Sequence, residues 1–449
     1  MKPKLHLISL GCTKNLVDSE VMLGRLQEYA LTQELSEADV IIVNTCGFIE
    51  AAKKESLGVL FEALQERKKG AILVASGCLS ERYKEELKSE IPEIDIITGV
   101  GDYDRIDEMI RERVSLQTHR VFLASEEHKR VISGSSVHAY VKLSEGCNQS
   151  CSFCAIPTFK GKLHSRTLES TLKELRNLIA QGFRDFSFVA QDSSSYLKDQ
   201  GESEGLMRLV EALGEFEGIA TARILYLYPS STTTRLLEAI ARSRVVQNYF
   251  DMPIQHISEA MLKRMRRGAN QAKHKELLSL MRSLPNAFLR TTLIIGHPCE
   301  SEAEFDELCE FVEDFGFDRI NLFAYSDEEG THAYDMEDKL SQKVINARLK
   351  RIDKIVQKQH KSSLQAMIGQ EIPVILEGKS REHEFFYTAR DLRWAPEVDG
   401  EILINDSLLP TAPMPGHYYA RVSEVAGKQL LATLAKGNSS LRESKEFKI

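Results

Sequence analysis

Short apolar runs alternate with amphipathic segments along the first 115 residues of the chain. Four of the runs have the length of strands, and the segments between them repeat apolar residues at helical spacing. Strands that alternate with helices are typical of a parallel sheet covered by helices on both faces, so we predict an α/β domain at residues 1–115. The predicted strands are Lys4–Leu10, Val40–Val43, Ala71–Ala75 and Ile94–Thr98.

The same alternation continues through the centre of the chain and predicts six further strand–helix units. Such a series indicates a partial or complete parallel (β/α) barrel, which we place at residues 133–368. Domains of this class carry their chemistry at the C-terminal ends of their strands. The predicted strands are Ala139–Leu143, Phe186–Val189, Arg223–Leu227, Tyr249–Met252, Phe288–Ile295 and Arg319–Ala324.

The pattern changes after a long, charged amphipathic helix predicted at Leu340–Met367, which we interpret as a connector. Beyond it, short alternating segments separated by Gly, Pro and Asn predict a small antiparallel β-barrel at residues 369–437. A polar stretch at residues 125–137 is interpreted as the linker between the first two domains. The predicted barrel strands are Ile372–Leu376, Phe385–Ala389, Glu401–Ile404, Tyr418–Val425 and Gln429–Leu434.

The composition of the chain indicates its cellular compartment and suggests a role for its cysteines. The 449 residues carry a formal net charge of −8 and are 42% apolar, which is ordinary for a globular protein and excludes global disorder. The start of the chain lacks the apolar core of a signal peptide, and no apolar run approaches the ~18–20 residues that span a bilayer. We therefore expect a cytoplasmic protein with no membrane partner, whose clustered cysteines stay reduced and serve as metal ligands or catalysts.

Three of the eight cysteines, Cys147, Cys151 and Cys154, follow the first predicted strand of the central domain in one short loop, and we call them the loop triad. Soft thiolates at this spacing suit a zinc or an iron–sulfur site. A closed zinc site needs four ligands, and no nearby cysteine or histidine supplies an evident fourth. Three thiolates on a four-iron cluster would leave one iron open to a small molecule. A zinc knuckle with a distant fourth ligand is the structural alternative.

Three more cysteines, Cys12, Cys46 and Cys78, each come within three residues of the end of a predicted N-terminal strand, and we call them the sheet triad. Because the C-terminal ends of parallel strands meet in the crevice where ligands bind, we expect these thiols to converge on a second cluster. Each alone would more often be a small buried hydrophobic residue, but three in the same structural position favour a shared ligand. Cys299 is interpreted as a free loop thiol and Cys309 as a packing thiol.

The loop triad, with Phe153 before its last cysteine, resembles the cluster-binding loop of radical S-adenosylmethionine enzymes. Over nearly the whole chain, the order of three-cysteine domain, radical domain and small barrel is similar to that of the methylthiotransferases. Two branches of that family compete. One modifies a ribosomal protein (RimO type), and the other modifies tRNA (MiaB type).

Several stretches of the sequence resemble the ribosomal-protein branch. Departures occur at Thr13, where proline is usual, and at His297 and Cys299, where phenylalanine and glycine are usual. The loop that contains the last two helps to hold S-adenosylmethionine in relatives. The similar stretches are Ser9–Glu20, Cys154–Pro157, Gly161–Lys162, Ser165–Arg166, Asp251–Ile257, Met265–Gly268, Tyr325–Thr331 and Arg393–Gly400.

The resemblance implies methylthiolation of the β-carbon of an aspartate in small-subunit ribosomal protein S-twelve, giving 3-methylthioaspartate. It makes residues 1–115 the methylthiotransferase domain, residues 133–368 the radical domain and residues 369–437 a TRAM-like barrel. It also implies S-adenosylmethionine, one [4Fe-4S] cluster on each triad, and a low-potential electron donor such as flavodoxin. The C–H bond involved is unactivated, so an ordinary general base cannot remove its proton at neutral pH and cofactor chemistry is required.

Four residues outside the triads are weaker candidates for contact with S-adenosylmethionine. Gln191 and Asp192 end the second strand of the central domain, where polar side chains could hold the cofactor. Gly296 and Pro298 follow the fifth strand, where they could let the backbone approach the adenine or ribose. A turn cap is the structural alternative for the first pair, and ordinary turn chemistry for the second.

The charge of the C-terminal barrel bears on the substrate. Residues 369–436 carry ten acidic and seven basic side chains, a net charge of −3. A barrel that clamps RNA needs a basic face to neutralise phosphates, so an acidic barrel favours a basic protein, free or within the small ribosomal subunit. A tRNA-modifying enzyme and a zinc-binding scaffold that docks on ribosomes are the alternative functions. Glu328 and the basic cluster at residues 263–267 are interpreted as solvated charges.

Overall fold

The computed structural model describes residues 2–118, 120–380, 382 and 384–435. The predicted domain end at residue 437, and the basic residues Arg381 and Lys436 counted above, lie outside this part of the chain. Within it, an N-terminal parallel sheet, a central parallel sheet and a small barrel follow one another, so the predicted fold class is confirmed. None of the helices that the structure describes is long and apolar enough to cross a membrane.

The N-terminal domain is a parallel sheet with a hydrophobic cluster on each face. Its strands are β1 (Lys4–Ser9), β2 (Ala30–Leu31), β3 (Val40–Thr45), β4 (Ile72–Gly77) and β5 (Ile96–Ile97). Its helices are α1 (Thr13–Arg25), α2 (Glu50–Glu66), α3 (Cys78–Arg82), α4 (Lys84–Glu90) and α5 (Ile106–Glu112). The strand order is β2-β1-β3-β4-β5. Alternate side chains of β3 enter the two clusters, which is why the strand reads as an unbroken apolar run. The edge strand β2 was not predicted, because it is too short to show the pattern of apolar residues that marks a strand in the sequence.

The central domain is an open parallel sheet and therefore a partial barrel. Its strands are β6 (His138–Lys142), β7 (Ser144–Glu145), β8 (His164–Ser165), β9 (Asp185–Val189), β10 (Thr221–Ile224), β11 (Val246–Asp251), β12 (Phe288–Ile295) and β13 (Arg319–Ala324). Its helices are α6 (Ile156–Phe159), α7 (Leu168–Ala180), α8 (Gly205–Gly214), α9 (Thr234–Arg242), α10 (Glu259–Arg264), α11 (Gln271–Ser283), α12 (Glu302–Phe315) and α13 (Gln342–Ala366). Six parallel strands pair in the order β13-β12-β11-β10-β9-β6 and match the six predicted strands. The short strands β7 and β8 form a separate antiparallel pair.

The C-terminal domain is a closed barrel of five strands in the order β14-β15-β16-β18-β17. They are β14 (Glu371–Lys379), β15 (Tyr387–Asp391), β16 (Ile402–Ser407), β17 (Gly416–Ala426) and β18 (Gln429–Leu434). Four pairings are antiparallel, as predicted, but β16 and β18 are parallel. Strand directions cannot alternate all the way around a ring with an odd number of members, so closure requires at least one parallel pair.

Buried ion pairs join the three domains. Arg390 of the barrel pairs with Asp185 of β9, which also binds Arg223 at 2.9 Å between Nη2 and Oδ1. Arg130, in the segment predicted as a polar linker, is buried and pairs with Glu20 of α1 at 2.6 Å between Nη2 and Oε2. Removing one partner of a buried pair costs about 3–5 kcal/mol, because the other charge is left without compensation. These contacts fix the orientation of each domain against the next.

Candidate active site

The sheet triad gathers at the C-terminal edge of the N-terminal sheet. Cys12 is the residue before α1, Cys46 follows β3 directly, and Cys78 begins α3 immediately after β4. The three strands that precede these residues are neighbours in the sheet. Burial, with a smaller contribution from the neighbouring thiol of Cys12, raises the pKa of Cys46 to about 11 and that of Cys78 to about 12. The predicted convergence of these cysteines is therefore present in the structure.

The backbone of the loop that carries Cys12 approaches the thiol of Cys46 closely. Gly11 has a φ of +89°, and a Cβ atom at this position would lie 2.7 Å from the Sγ atom of Cys46. The Asn15 side chain connects the C-terminal ends of β3 and β4. Its Nδ2 atom donates to the carbonyl of Thr45 at 3.2 Å, and its Oδ1 atom accepts from Sγ of Cys78 at 3.7 Å. Sequence reasoning does not identify Asn15, because its partners are distant along the chain.

The loop triad lies in the segment between β7 and β8, whose antiparallel pairing closes the base of the loop. Burial raises the pKa values of Cys147 and Cys154 to about 12. The Sγ atom of Cys151 lies 3.1 Å from Nη1 of Arg267, which donates to it, and 3.3 Å from the hydroxyl of Tyr228. The guanidinium of Arg267 also lies 4.3 Å from the centroid of the Tyr228 ring. Donors to a ligand sulfur orient it and stabilise its thiolate form.

Two charges that were expected to be solvated, Arg267 and Glu328, are buried. Arg267 is only 3% exposed, because the chain turns at Arg266, with a φ of +54°, and directs the next side chain inward. Glu328 is 1% exposed and pairs through Oε2 with Arg82 at 2.9 Å and with Lys53 at 3.0 Å, both in the N-terminal domain. The interpretation as solvated charges is therefore wrong for Arg267 and Glu328, whereas Arg266 in the same basic cluster is exposed. No periodic pattern in the sequence signals either residue, since each is buried by contacts distant along the chain.

The predicted cofactor residues Gln191 and Asp192 lie beside the loop triad. Asp192 accepts hydrogen bonds from four side chains: Gln149 at 2.9 Å, Ser194 at 2.6 Å, Ser195 at 2.6 Å and Ser231 at 3.1 Å. The backbone N–H of Gln149 in turn donates to Sγ of Cys147 at 3.4 Å. Gln191 donates to Glu145, while its buried Oε1 atom has no hydrogen-bond partner among the described residues. Contact of either residue with S-adenosylmethionine stays a prediction.

The predicted residues Gly296 and Pro298 are both buried. Gly296 has a φ of +86°, and a Cβ there would lie 2.5 Å from Cγ1 of Ile345 in α13, so packing alone already requires glycine. Burial lowers the pKa of His297, between them, to about 4, and the ring is neutral at pH 7. Its Nδ1 atom lies 3.0 Å from the Pro298 carbonyl and must donate to it, so Nε2 accepts from Ser152 Oγ at 2.8 Å. The unusual histidine therefore contacts the loop that carries the loop triad.

The last two cysteines join neither triad. Cys299 is half-buried at a φ of +63°, with its Sγ atom 3.7 Å from the carbonyl oxygen of Glu337. Cys309 is 2% exposed within the core-facing side of α12 and packs as predicted.

A buried cluster of four charges, which we call the lysine–carboxylate cluster, lies where the N-terminal and central domains meet. Lys142 Nζ lies 2.5 Å from Oδ1 of Asp18 and 2.8 Å from Oε2 of Glu145, and Lys160 Nζ lies 3.8 Å and 3.5 Å from carboxylate oxygens of the same two residues. Burial alone would raise the pKa of Glu145, but the two lysines hold it at about 2. The charge of Lys160 acts on Cys78, and Glu145 accepts from Gln191. The cluster thus connects the surroundings of both triads.

The donor chemistry of the triads fits iron–sulfur clusters. Each triad offers three soft thiol ligands, of which Cys46 and Cys78 are buried and the other four are half-buried. Across the described ranges of the chain, no three His, Cys, Asp or Glu side chains stand close enough together to bind a single metal ion. Thiolates of a four-iron cluster bind different iron atoms and stand further apart than the ligands of one zinc ion. Because burial raises the pKa values of Cys46, Cys78, Cys147 and Cys154, loading a cluster must displace protons from these thiols.

Family models match three successive parts of the chain. Residues 4–99 match the uncharacterized protein family UPF0004, residues 141–312 the radical SAM superfamily and residues 368–434 the TRAM domain. A solved structure of the radical S-adenosylmethionine methyltransferase TsrM from Kitasatospora setae has a TM-score of 0.52. The similarity covers 72% of each chain at 13% identity, and it therefore concerns the fold alone.

Relatives of known name match almost the whole chain. The ribosomal protein uS12 methylthiotransferase RimO of Wolinella succinogenes is 74% identical over 97% of this chain and 99% of that protein. Proteins of the same name are 64% identical in Helicobacter hepaticus, over 90% and 91% of the two chains, and 57% identical in Helicobacter pylori, over 96% and 97%. The resemblance to the ribosomal-protein branch is confirmed. This chain belongs to the RimO family of ribosomal protein uS12 methylthiotransferases and is a radical S-adenosylmethionine enzyme.

Proposed function

We propose that this enzyme transfers a methylthio group to the β-carbon of an aspartate in ribosomal protein uS12. The observation that carries the proposal is 74% identity, over nearly the full length, to an enzyme named for that substrate. As a member of the family, the enzyme uses S-adenosylmethionine and [4Fe-4S] clusters. When bound, these groups supply the radical that removes an unactivated hydrogen atom and the methylthio group that replaces it.

We assign one cluster to each triad. Cys147, Cys151 and Cys154 would hold the cluster that binds S-adenosylmethionine, and Arg267 would donate to one of its ligand sulfurs. Cys12, Cys46 and Cys78 would hold the second cluster at the edge of the N-terminal sheet.

The candidates outside the triads have more modest roles in this proposal. Asp192 keeps the triad loop in shape through its hydrogen bond to Gln149. The Oε1 atom of Gln191 would accept a hydrogen bond from S-adenosylmethionine. The turn formed by Gly296 and Pro298 would border the same cofactor. We retain the division into domains at residues 1–115, 133–368 and 369–437.

The exposed charges of the barrel support a basic protein partner. Among its described residues, seven exposed side chains are acidic and three are basic, so acidic groups predominate at the described surface of the barrel. The basic group of Arg390 is instead used in a buried ion pair. The exposed acidic residues are Glu371, Glu382, Glu384, Glu397, Glu401, Asp406 and Glu424, and the exposed basic residues are Lys379, Arg421 and Lys428. Like-charge repulsion would weaken RNA binding on such a surface.

Since the substrate is a ribosomal protein, we place the reaction in the cytoplasm, on free uS12 or on the small subunit. A low-potential electron donor such as flavodoxin would reduce the cluster of the loop triad.

Mass spectrometry of uS12 from a strain that lacks this gene tests the proposal. The protein from the parent strain should be heavier by one methylthio group in place of hydrogen, and the difference should disappear in the deletion strain. The wild-type gene should restore the modification, while the Cys151→Ala variant should not. Unchanged uS12 together with a lost methylthio group on tRNA would instead support the tRNA branch. Colourless protein that contains only zinc after anaerobic preparation would support the scaffold.

A further inference from the structure

Lys14 is a cation between the two triads that lacks a carboxylate partner. It follows Cys12 by two residues, and its Nζ atom lies 3.7 Å from the centroid of the Tyr226 ring in the central domain. The side chain is half-buried, and none of the carboxylates that the structure describes forms an ion pair with it. The aromatic face stabilises the ammonium and holds it in place, but leaves its charge available to an anion.

The partner of Lys14 has an unusual backbone. Tyr226 has a φ of +62°, which a residue with a bulky side chain rarely adopts. Its N–H group donates to Oδ2 of Asp251 at 3.1 Å, and its carbonyl accepts from the N–H of Ser193 at 3.0 Å. Two residues further on, the Tyr228 hydroxyl contacts Cys151 of the loop triad. Strained residues of this kind persist where the surroundings hold them, and they concentrate at functional sites. The Lys14–Tyr226 contact therefore spans the space between the triads.

The surrounding charges leave Lys14 in excess. In the lysine–carboxylate cluster nearby, Lys142 and Lys160 balance Asp18 and Glu145 one for one. Lys14 adds one positive charge to this balanced set. Because the contact partner of Lys14 is an aromatic ring and not a carboxylate, an anion that enters beside it gains a charge-assisted hydrogen bond.

We propose that Lys14 binds the side-chain carboxylate of the target aspartate of uS12 and thereby places its β-carbon between the two triads. The inference rests on the proposed function. In aspartate the carboxylate carbon is bonded directly to the β-carbon, so an ion pair to the carboxylate fixes the reacting atom to within one bond. The same contact discriminates against asparagine, whose amide carries no charge, and against nucleic acid bases, which lack a carboxylate.

Binding measurements on the reconstituted enzyme under anaerobic conditions test this inference. Calorimetry would compare uS12 with uS12 in which asparagine replaces the target aspartate. The wild-type enzyme should bind the aspartate form more tightly by about tenfold or more, as expected for a charge-assisted hydrogen bond. Lys14→Met should bind both forms equally, and Lys14→Arg should recover most of the discrimination. Lys54→Met is the matched control, since Lys54 is exposed on α2 and pairs only with Glu50 among the described residues.

Two results would overturn the inference. One is a Lys14→Met enzyme that still prefers the aspartate form as strongly as the wild type. The other is a loss of iron from the sheet triad in Lys14→Met. Such a loss would mean that the positive charge of Lys14 stabilises the cluster and is not used to bind the substrate. If Lys14→Met does not fold, Lys14→Gln serves as the neutral variant. Failure of the proposed function is distinct, since the wild-type enzyme itself would then neither bind nor modify uS12.

Discussion

The sheet triad and the loop triad each consist of three thiols, but the cysteines of the two triads are separated by very different distances along the sequence. The loop triad occupies eight consecutive residues, from 147 to 154, in a loop whose base is closed by β7 and β8. The sheet triad comes from residues 12 to 78 and requires three strands to pair in the correct order and register. The loop triad therefore depends on a few buried neighbours, such as Arg267, whereas the sheet triad depends on the whole N-terminal sheet.

Removing each triad in turn should give the largest difference in activity between the two sites. Intact enzyme should hold about eight iron atoms, four for each cluster. Replacing the three cysteines of the loop triad by alanine should halve the iron content and abolish cleavage of S-adenosylmethionine. The same replacement in the sheet triad should also halve the iron, abolish methylthiolation, and leave reductive cleavage to 5′-deoxyadenosine.

Iron analysis and chromatography of the products measure these outcomes. Loss of cofactor cleavage in the sheet-triad variant, with the remaining cluster intact by electron paramagnetic resonance, would contradict the assignment of separate roles.

The buried arginine of the loop triad gives the next largest effect. Arg267→Met removes the donor that lies 3.1 Å from Cys151 Sγ, and loss of such a partner typically weakens metal binding by about 10–100-fold. Titration of this variant with a chelator should therefore remove the cluster of the loop triad first, while the cluster of the sheet triad remains bound. Lys263→Met is the matched control, because Lys263 is exposed in the same basic segment. Equal chelator resistance of the two variants would show that Arg267 does not support the cluster.

Alanine substitutions at two glycines test how strongly the sheet triad depends on the close approach of the backbone to its thiols. Gly11 and Gly70 have nearly equal φ values of +89° and +86°, so alanine is strained to a similar extent at both. A Cβ at Gly11 meets Cys46, whereas a Cβ at Gly70 meets nothing within 4 Å. Both variants should lose about 1 kcal/mol of stability from backbone strain. Only Gly11→Ala should also lower the iron content of the sheet triad, as measured by its absorbance after reconstitution.

Acid should lower the stability of the domain that carries the loop triad without acting on the thiols themselves. Burial lowers the pKa of His274 from 6.5 to about 4, and its Nε2 atom has no partner among the described residues. The ring stays neutral in the folded state, but is protonated in the unfolded chain below pH 6.5, so stability falls as the pH drops towards 4. Urea unfolding of the cluster-free protein should show a loss of about 1–2 kcal/mol between pH 7 and pH 5.

His274→Gln should flatten this part of the pH profile, although it lowers the overall stability. A profile that is the same with and without His274 would mean that other groups control the acid response.

The features predicted from the sequence are those with a short-range signal. The strands β3, β4 and β9 to β13 are apolar runs bounded by turns, and the loop triad is a local motif. The sheet triad could be predicted because parallel strands bring their ends together. Asn15, Arg267 and the pair of Lys142 with Asp18 could not, since each depends on contacts between segments far apart in the chain. The parallel closure of the barrel follows only once the number of strands in the ring is known.

The ion pairs between domains constrain how this enzyme can change during evolution. Family models match the three domains separately, as if they were exchangeable modules. Yet Asp185 in the central domain serves both Arg223 beside it and Arg390 in the barrel. A barrel recruited from another protein would leave that carboxylate with one partner fewer unless it brought an equivalent arginine. Substitutions at these positions should therefore occur together, and the domains should be inherited as a set.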